Sequence, residues 1–261
     1  MLTIAFIAVF LAAIIFSMLG LGGGTLYVPI LIAIGLSFHG AAATSLSLII
    51  VMSLTAAVIY HRNKLIDWHL FFVLEPASII GAWLGSSNSH LFSEKTLLII
   101  FAAIMVVASF FLLKPALPRK VKEREFPGFY HRDMAGCHYT VNLWAGIPLA
   151  LFAGFISSIL GIGGGFAKVP MMALLFGVPI KIAVATSSAM IVLTAATGLA
   201  GHSTLGNLNY KVVLILSLAV LAGALIGSKI SIKANDKFLK RTFAVIQILT
   251  AGWMVYKALN S

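Results

Sequence analysis

The chain has 261 residues, of which 61% are hydrophobic and only 10% are charged, and its formal net charge is +11. Soluble domains carry about 25% charged residues, so this composition excludes a soluble enzyme and a disordered chain. At about 20 residues per spanning helix, the apolar residues suffice for about eight spans, which excludes a single membrane anchor. The sequence therefore predicts a polytopic membrane protein.

Eight long and two short apolar runs follow one another along the chain. Runs near 20 residues indicate membrane helices, because strands of membrane barrels are about ten residues long and alternate in hydrophobicity. We therefore expect an all-α integral membrane protein. The long runs cover about 2–19, 41–60, 69–87, 96–113, 143–160, 183–201, 210–228 and 239–258, and the short runs, each after a glycine cluster, cover about 25–36 and 166–178.

A polar segment divides the chain into two halves. Residues 114–140 contain six Lys or Arg, three acidic residues and three prolines. We expect a first transmembrane repeat at 1–113, a basic cytoplasmic linker at 114–140 and a second transmembrane repeat at 141–261. Because the basic residues lie in loops between apolar runs, membrane topology explains the positive charge better than nucleic-acid binding does.

The two halves repeat each other in sequence. Residues 20–29 read G-L-G-G-G-T-L-Y-V-P and residues 161–170 read G-I-G-G-G-F-A-K-V-P, with six of ten positions identical. Blocks in the same order at an offset of 141 or 142 residues indicate a tandem duplication. Two further pairs of blocks keep this offset: A-T-S at 43–45 and 185–187, and G-A-W-L-G-S at 81–86 with G-A-L-I-G-S at 223–228.

Charge favours inverted over parallel repeats, each with a glycine-broken helical hairpin and three spanning helices. Lys168 lies within the broken segment and is left out of the count. If the short runs do not change sides, the copies are parallel and the other basic residues divide ten to seven between the two sides. If each hairpin returns to its own side, the copies are inverted and the division is fourteen to three. Cytoplasmic loops are rich in Lys and Arg, so we expect inversion, a cytoplasmic linker and both termini outside.

Two glycine clusters interrupt apolar sequence at corresponding places. Paired broken helices in two repeats are a sequence signal for a transporter's central site. A helix that starts after such a loop presents free N–H groups and a partial positive charge, so two converging starts would bind an anion. Alternatively, the glycines serve only close helix packing. The clusters are Gly22, Gly23 and Gly24 in the first half, and Gly163, Gly164 and Gly165 in the second.

Hydroxyl side chains begin the next helix of each half. They are Thr44 and Ser45 in the first half, and Thr186, Ser187 and Ser188 in the second. These hydroxyls can donate to a bound oxyanion, which makes them candidates for substrate binding. They can equally cap a turn or bond back to a backbone carbonyl.

Two ionisable residues lie inside apolar runs, where charge is costly and often functional. Lys168, whose counterpart is Tyr27, either neutralises a bound anion or extends to the membrane interface. Glu75, whose counterpart is Ser217, either carries a proton during transport or pairs with a lysine or the backbone.

The sequence offers little for an enzyme. We find no Ser/His/Asp arrangement on one face, and the glycine clusters lack the Lys-Ser/Thr ending of a phosphate loop. No spacing supports a metal site, and Cys137 is the only cysteine. We therefore expect no catalysis, no cofactor and no metal.

The duplicated glycine elements, A-T-S triplets and G-A-x-x-G-S elements resemble the sulfite exporter TauE/SafE family of membrane permeases. The resemblance implies a secondary transporter of sulfite or a small organosulfonate such as sulfoacetate in a bacterial inner membrane. We expect alternating access with the anion held between the glycine loops. The expected partners are this anion and the lipid bilayer, without nucleic acid, and a homo-oligomer stays open. The alternatives are an anion channel, an importer of another small metabolite and a non-transporting membrane subunit.

Overall fold

The computed structural model consists of helices with one β-hairpin between the two halves. It describes residues 2–36, 38–88, 99, 102–103, 106, 109–110, 128–134, 136–202 and 210–260. The elements in these residues are α1 (Leu2–Leu19), α2 (Gly24–Ala33), α3 (Phe38–Arg62), α4 (Trp68–Ser87), β1 (Phe129–Met134), β2 (Cys137–Asn142), α5 (Leu143–Leu160), α6 (Gly165–Pro170) with a π-helical turn at Met171–Leu175, α7 (Ile180–His202), α8 (Tyr210–Lys233) and α9 (Asp236–Asn260).

Six described helices are long and apolar enough to cross a membrane: α1, α3, α4, α5, α7 and α8. The prediction of an all-α membrane protein is therefore confirmed. The run predicted at 239–258 forms α9, which is as long but begins with the charged residues Asp236 and Lys237 and is not one of the six. The run predicted at 96–113 lies mostly outside the described residues.

The outer surface of the helices is apolar, and their small and polar residues lie inside. Leu11 on α1 and Leu214 on α8 are more than half exposed, whereas Ser78 on α4 and Ser228 on α8 are buried. Helices that associate in lipid cannot gain from burying leucine and instead bring small residues together. This distribution suits a surface that faces lipid.

Helices of one half pack along helices of the other. Helix α1 packs along α8, and α4 packs along α5. A Cβ on Gly81 would lie 2.0 Å from the Leu151 carbonyl oxygen, and one on Gly223 would lie 2.7 Å from the Phe10 carbonyl oxygen. These two contacts join corresponding positions of the repeats. Glycine therefore sets the distance between the halves at both crossings.

Helices α3 and α7 run in opposite directions. Thr186, near the start of α7, accepts a hydrogen bond of 3.0 Å from the N–H of Asp67, which follows the end of α3. Near the end of α7, a Cβ on Gly198 would lie 3.4 Å from the side chain of Leu46, near the start of α3. Inverted repeats require this relation, whereas parallel copies would point corresponding helices the same way. The duplication and its inversion themselves stay predictions.

Part of the polar linker forms a hairpin that the sequence did not suggest. Strands β1 and β2 pair antiparallel, with Phe129 opposite Asn142. Tyr139 and Val141 of β2 are buried. The Asn142 side chain then accepts a hydrogen bond of 3.3 Å from the N–H of Ala145 and caps α5. The hairpin thus leads directly into the second half.

Candidate functional site

The two glycine loops meet at Gly22 and Gly163. A Cβ on Gly163 would lie 3.3 Å from the Gly22 Cα, and one on Gly22 would lie 3.1 Å from the Ile162 carbonyl oxygen. Both glycines have positive φ, +96° and +72°, a backbone conformation that other residues rarely adopt. The loops therefore converge backbone to backbone.

Each short helix after a loop starts against the opposite loop. A Cβ on Gly24 would lie 2.3 Å from the Ile162 Cα, and one on Gly165 would lie 2.0 Å from the Gly20 carbonyl oxygen. Side chains of their own helices cover the other two glycines: the Tyr27 ring lies against Gly23 and the Lys168 stem against Gly164. The same glycines therefore allow close packing of the helices and lie where the two loops converge.

Two of the candidate serines connect the halves reciprocally. The Ser45 hydroxyl donates to the Gly161 carbonyl at 2.8 Å, and the Ser187 hydroxyl donates to the Gly20 carbonyl at 3.0 Å. One hydrogen bond joins α3 to the residues that follow α5, and the other joins α7 to the residues that follow α1. Each bond therefore links one half to the start of the other half's glycine loop. In this conformation both hydroxyls hold the loops in place.

The remaining candidate hydroxyls lie in three different environments. The Ser188 hydroxyl bonds back to the Val184 carbonyl at 2.9 Å, and the Thr186 hydroxyl accepts from the backbone of Asp67. The hydroxyl of Thr44 is buried and, in the part of the chain that the structure describes, has no hydrogen-bond partner. The same holds for Thr25 in the first turn of α2, which was not a predicted site residue. A direct role of the candidate hydroxyls in substrate binding stays a prediction.

Lys168 forms a buried ion pair with Glu75. Its side chain is 0% exposed, so it does not extend to an interface. The ammonium Nζ lies 2.7 Å from Glu75 Oε2 and 2.6 Å from Thr194 Oγ1. A Cβ on Gly164 would lie 3.1 Å from the Lys168 Cε, which places the lysine stem beside the second glycine loop.

Thr194 completes a closed cluster with the ion pair. Its hydroxyl lies 2.6 Å from Glu75 Oε1 while it accepts from Lys168. A buried ion pair persists only when further hydrogen bonds satisfy its remaining polar atoms, and Thr194 supplies one to each partner. The described residues contain no group of three or more His, Cys, Asp or Glu that could hold a metal ion.

Thr194 was not among the predicted site residues, although the sequence contains a signal for it. Its counterpart in the first half is Met52, whose sulfur lies 3.3 Å from the Tyr27 hydroxyl. Lys168 replaces Tyr27 and Glu75 replaces Ser217. Comparing the halves position by position would therefore have found three polar differences that meet in space.

A second cluster attaches the hairpin to the start of α4. Asp67 caps α4 by accepting from the N–H groups of His69 and Leu70, at 3.0 and 3.2 Å. Its carboxylate also accepts from Arg132 of β1 at 3.1 Å and from the hydroxyl of Tyr139 of β2. This cluster was not predicted, because no local sequence pattern relates Asp67 to a strand 65 residues later.

The hydrogen bonds of this cluster change the acidity of its members. Burial by itself would raise the pKa of Asp67, but the bonds from Tyr139, Arg132 and the Leu70 backbone lower it below its ordinary value. Burial and the bond to Asp67 raise the pKa of Tyr139. Asp67 therefore stays ionised where an isolated aspartate begins to protonate.

Comparison with known proteins gives a consistent result. The sequence model described as "Sulfite exporter TauE/SafE" matches residues 5–254. The chain is 32% identical to the Bacillus subtilis protein named "Probable membrane transporter protein YunE", over 96% of each chain. A Methanocaldococcus jannaschii protein, also named a probable membrane transporter protein, is 25% identical over 92% of this chain and 90% of its own. An Arabidopsis thaliana protein named "Sulfite exporter TauE/SafE family protein 5" is 29% identical over 38% of this chain and 23% of its own. No solved structure matches the chain.

Proposed function

The chain belongs to the sulfite exporter TauE/SafE family, and from that membership we propose that it exports a small sulfur-containing anion, sulfite or an organosulfonate, as a secondary transporter. The burial of Lys168 is the observation that favours an anion as the substrate. Lys168 is a fully buried cation whose stem lies against Gly164 of the second glycine loop. A buried charge within membrane helices usually marks a substrate or ion pathway.

The proposed binding place lies between the two glycine loops. The first turn of α2 has backbone N–H groups without helical partners and a partial positive charge. The buried hydroxyls of Thr25, in that turn, and Thr44, on the next helix, are donors without a partner among the described residues. Together with Lys168 from the other half, these groups offer an oxyanion the donors and the positive charge that it requires.

Alternating access is the proposed mechanism, with the two halves rocking about the site. The opposite directions of α3 and α7 and the reciprocal bonds of Ser45 and Ser187 support two inverted halves. The backbone contact between Gly22 and Gly163 would have to open and close during the cycle. For an anion that crosses without a coupled ion, export from a cytoplasm at negative potential is downhill by about 2.3 kcal/mol per charge per 100 mV.

The proposed location is the inner membrane, with the central linker in the cytoplasm and both termini outside. Fourteen basic residues on one side against three on the other support it. Cys137 is the only cysteine and is exposed on the hairpin, which offers a direct test. An impermeant thiol reagent should label Cys137 only from the cytoplasmic side. In a Cys137→Ser background, Ser261→Cys should react only from outside, and labelling of both positions from one side would exclude the inverted topology.

Flux into proteoliposomes tests the function. Radiolabelled sulfite and methanesulfonate should enter vesicles that contain the purified protein, with a rate that saturates as the concentration rises. The double variant Lys168→Met/Glu75→Gln removes the cation without leaving a carboxylate unpaired, and it should lose at least 90% of this flux. Gly252→Ala on α9, where a Cβ would meet nothing within 4 Å, is the control and should retain the flux.

Each contrary outcome points to a different function. A flux that does not saturate would indicate an anion channel. Saturable transport of another metabolite, without sulfite or methanesulfonate, would contradict the proposed substrate class. No flux of any anion would favour a non-transporting membrane subunit, in which the glycines serve packing alone.

A further inference from the structure

We propose that the Lys168–Glu75 pair couples anion transport to a proton, with one proton carried in the same direction as each anion. This inference rests on the proposed function and deepens it by naming the coupling ion. The geometry behind it is a competition: the anion and the Glu75 carboxylate seek the same ammonium. Protonation of Glu75 is what releases the ammonium to the anion.

The first step is that Lys168 already has an anionic partner. Its Nζ lies 2.7 Å from Glu75 Oε2, and both side chains are at most 1% exposed. A transported anion that takes the ammonium as its counter-ion displaces this carboxylate from its partner. The carboxylate would then be a second negative charge beside the anion, in a place that water does not reach. Such an arrangement is strongly unfavourable unless one charge is neutralised.

The second step is that a proton on Glu75 removes this conflict without disturbing its surroundings. A protonated carboxyl can donate to the Thr194 hydroxyl, which lies 2.6 Å from Glu75 Oε1. Thr194 can then direct its own hydrogen to the Met190 carbonyl, at 3.3 Å. Glu75 thus keeps a hydrogen-bond partner in either protonation state, and Lys168 keeps an anionic partner in either half of the cycle.

No other ionisable group contacts the Glu75 carboxylate in the described part of the chain. Helix α4 packs against α5, which contains no ionisable side chain, and against α7. On α7, Lys181 donates to the Ile232 carbonyl at 3.1 Å, and His202 lies at the far end. On α4 itself, His69 lies in the first turn, six residues before Glu75. Lys168 is therefore the charged group that sets the protonation of Glu75.

The consequence is a fixed ratio of one proton to each transported anion. In the resting pair, Glu75 is ionised and Lys168 is charged; in the loaded protein, Glu75 is protonated and the anion neutralises Lys168. Each transported anion therefore takes one proton from the side where it binds and releases it where it leaves. A monovalent anion that carries a proton crosses without net charge, so the membrane potential does not drive it. Its export is driven by its own outward gradient and opposed by a proton gradient that is acid outside.

Methanesulfonate is the probe that separates protein from substrate, because a sulfonate stays ionised over the pH range used. Wild-type protein in proteoliposomes should show a KM for methanesulfonate that falls about tenfold per unit decrease in pH between pH 8 and pH 6. A potential imposed with potassium and valinomycin should leave the wild-type flux unchanged. A pH dye inside the vesicles should record one proton per methanesulfonate.

Glu75→Gln removes the proton carrier and keeps a neutral hydrogen-bonding side chain. Its KM should be low and independent of pH, its flux should follow the imposed potential, and proton uptake should be absent. Gly252→Ala on α9, where a Cβ would meet nothing within 4 Å, is the control and should behave as the wild type does. If Glu75→Gln does not fold, the wild-type measurements of potential, pH dependence and protons decide alone.

The outcomes distinguish this inference from the function beneath it. Saturable wild-type transport that is pH-independent, driven by the potential and free of proton movement overturns the coupling and leaves the anion transporter standing. The same proton stoichiometry in Glu75→Gln as in the wild type also overturns it, because another group would then carry the proton. Absence of wild-type transport of both sulfite and methanesulfonate overturns the proposed function, and the coupling with it.

Discussion

The two halves of the molecule use corresponding positions in different ways. In the second half Lys168 and Thr194 form a buried ionic cluster with Glu75. In the first half the positions that correspond to the lysine and threonine hold Tyr27 and Met52. These two side chains are joined by one hydrogen bond, from the Tyr27 hydroxyl to the Met52 sulfur. One half therefore presents charge beside its glycine loop, and the other presents a neutral aromatic ring.

The backbone framework, by contrast, is the same in both halves. The hydrogen bond of Ser45 to Gly161 corresponds to that of Ser187 to Gly20. The glycine crossings of Gly81 and Gly223 also correspond. Contacts between the halves therefore occur in matching pairs, whereas the side chains next to the two glycine loops differ.

The short helices after the loops differ as well. Helix α2 continues as a regular helix past Pro29 to Ala33. Helix α6 ends at Pro170 and passes into a π-helical turn, Met171–Leu175. A π turn inside a helix is uncommon and often accompanies a functional site. The half that carries Lys168 and Thr194 is therefore also the half with the irregular helix.

The largest expected effect concerns the charged cluster. Lys168→Met leaves the Glu75 carboxylate buried without its counter-ion, and removing one partner of a buried pair costs about 3–5 kcal/mol. Tyr27→Phe, at the corresponding position, should cost far less because it removes one weak bond to sulfur. Thermal unfolding of the purified protein in detergent compares the two. The double variant Lys168→Met/Glu75→Gln should recover most of the lost stability; a single variant as stable as the double would contradict a buried pair.

The glycine crossings should respond alike in both halves. Gly81→Ala and Gly223→Ala each place a methyl group where a backbone carbonyl oxygen lies, and overpacking of this kind costs about 1–3 kcal/mol. Gly252→Ala on α9 is the control, because a Cβ there meets nothing within 4 Å. Unfolding midpoints and transport rates should fall for the first two variants and not for the third. A strong effect in one half alone would break the equivalence of the crossings.

The cluster of Asp67, Arg132 and Tyr139, here called the hairpin anchor, should make part of the free energy of unfolding sensitive to acid pH. Only the first half supplies the carboxylate for it. The lowered pKa of Asp67 means that its ionised form stabilises the fold above the unfolded pKa of about 4. This stabilisation is lost as the pH falls through the lower folded pKa. In Asp67→Asn the acid-sensitive component should disappear, at a cost of about 1–2 kcal/mol at neutral pH.

Unfolding midpoints between pH 3 and pH 7 measure this component. The corresponding position of the second half is Asn209, which has no carboxylate to titrate. Arg132→Gln should reduce the same acid-sensitive component without removing the cap of α4. If the unfolding midpoint of Asp67→Asn falls between pH 7 and pH 3 as much as that of the wild type, the hairpin anchor does not contribute to stability.

The smallest expected effect belongs to the reciprocal serine bonds. Ser45→Ala and Ser187→Ala should each lower the free energy of unfolding by about 1 kcal/mol, since each removes one neutral hydrogen bond to a buried carbonyl. Ser188→Ala should have a smaller effect, because its bond stays within its own helix. Denaturant or thermal unfolding compares the three. Unequal losses for Ser45 and Ser187 would mean that the two bonds are not equivalent.

The amino-acid sequence by itself determined the membrane class, the family and the positions of the two glycine loops. It also predicted eight long apolar runs, six of which coincide with the long apolar helices that the structure describes. These depend on local properties: the length of an apolar run, and the need for glycine where φ is positive, as at Gly22 and Gly163. The repeated blocks also identified Lys168 and Glu75 as residues that required an explanation. They left open which of two roles each one has.

Only the tertiary structure decided which side chains meet. Lys168 and Glu75 are 93 residues apart, and Asp67 and Arg132 are 65 apart. Their pairing depends on how α4, α6, α7 and the hairpin pack, and no local pattern encodes that packing. The hairpin escaped prediction for the same reason, since its strands carry polar residues and are held by Tyr139 and Arg132 against Asp67. Contacts between distant segments form only once helices of both halves have come together.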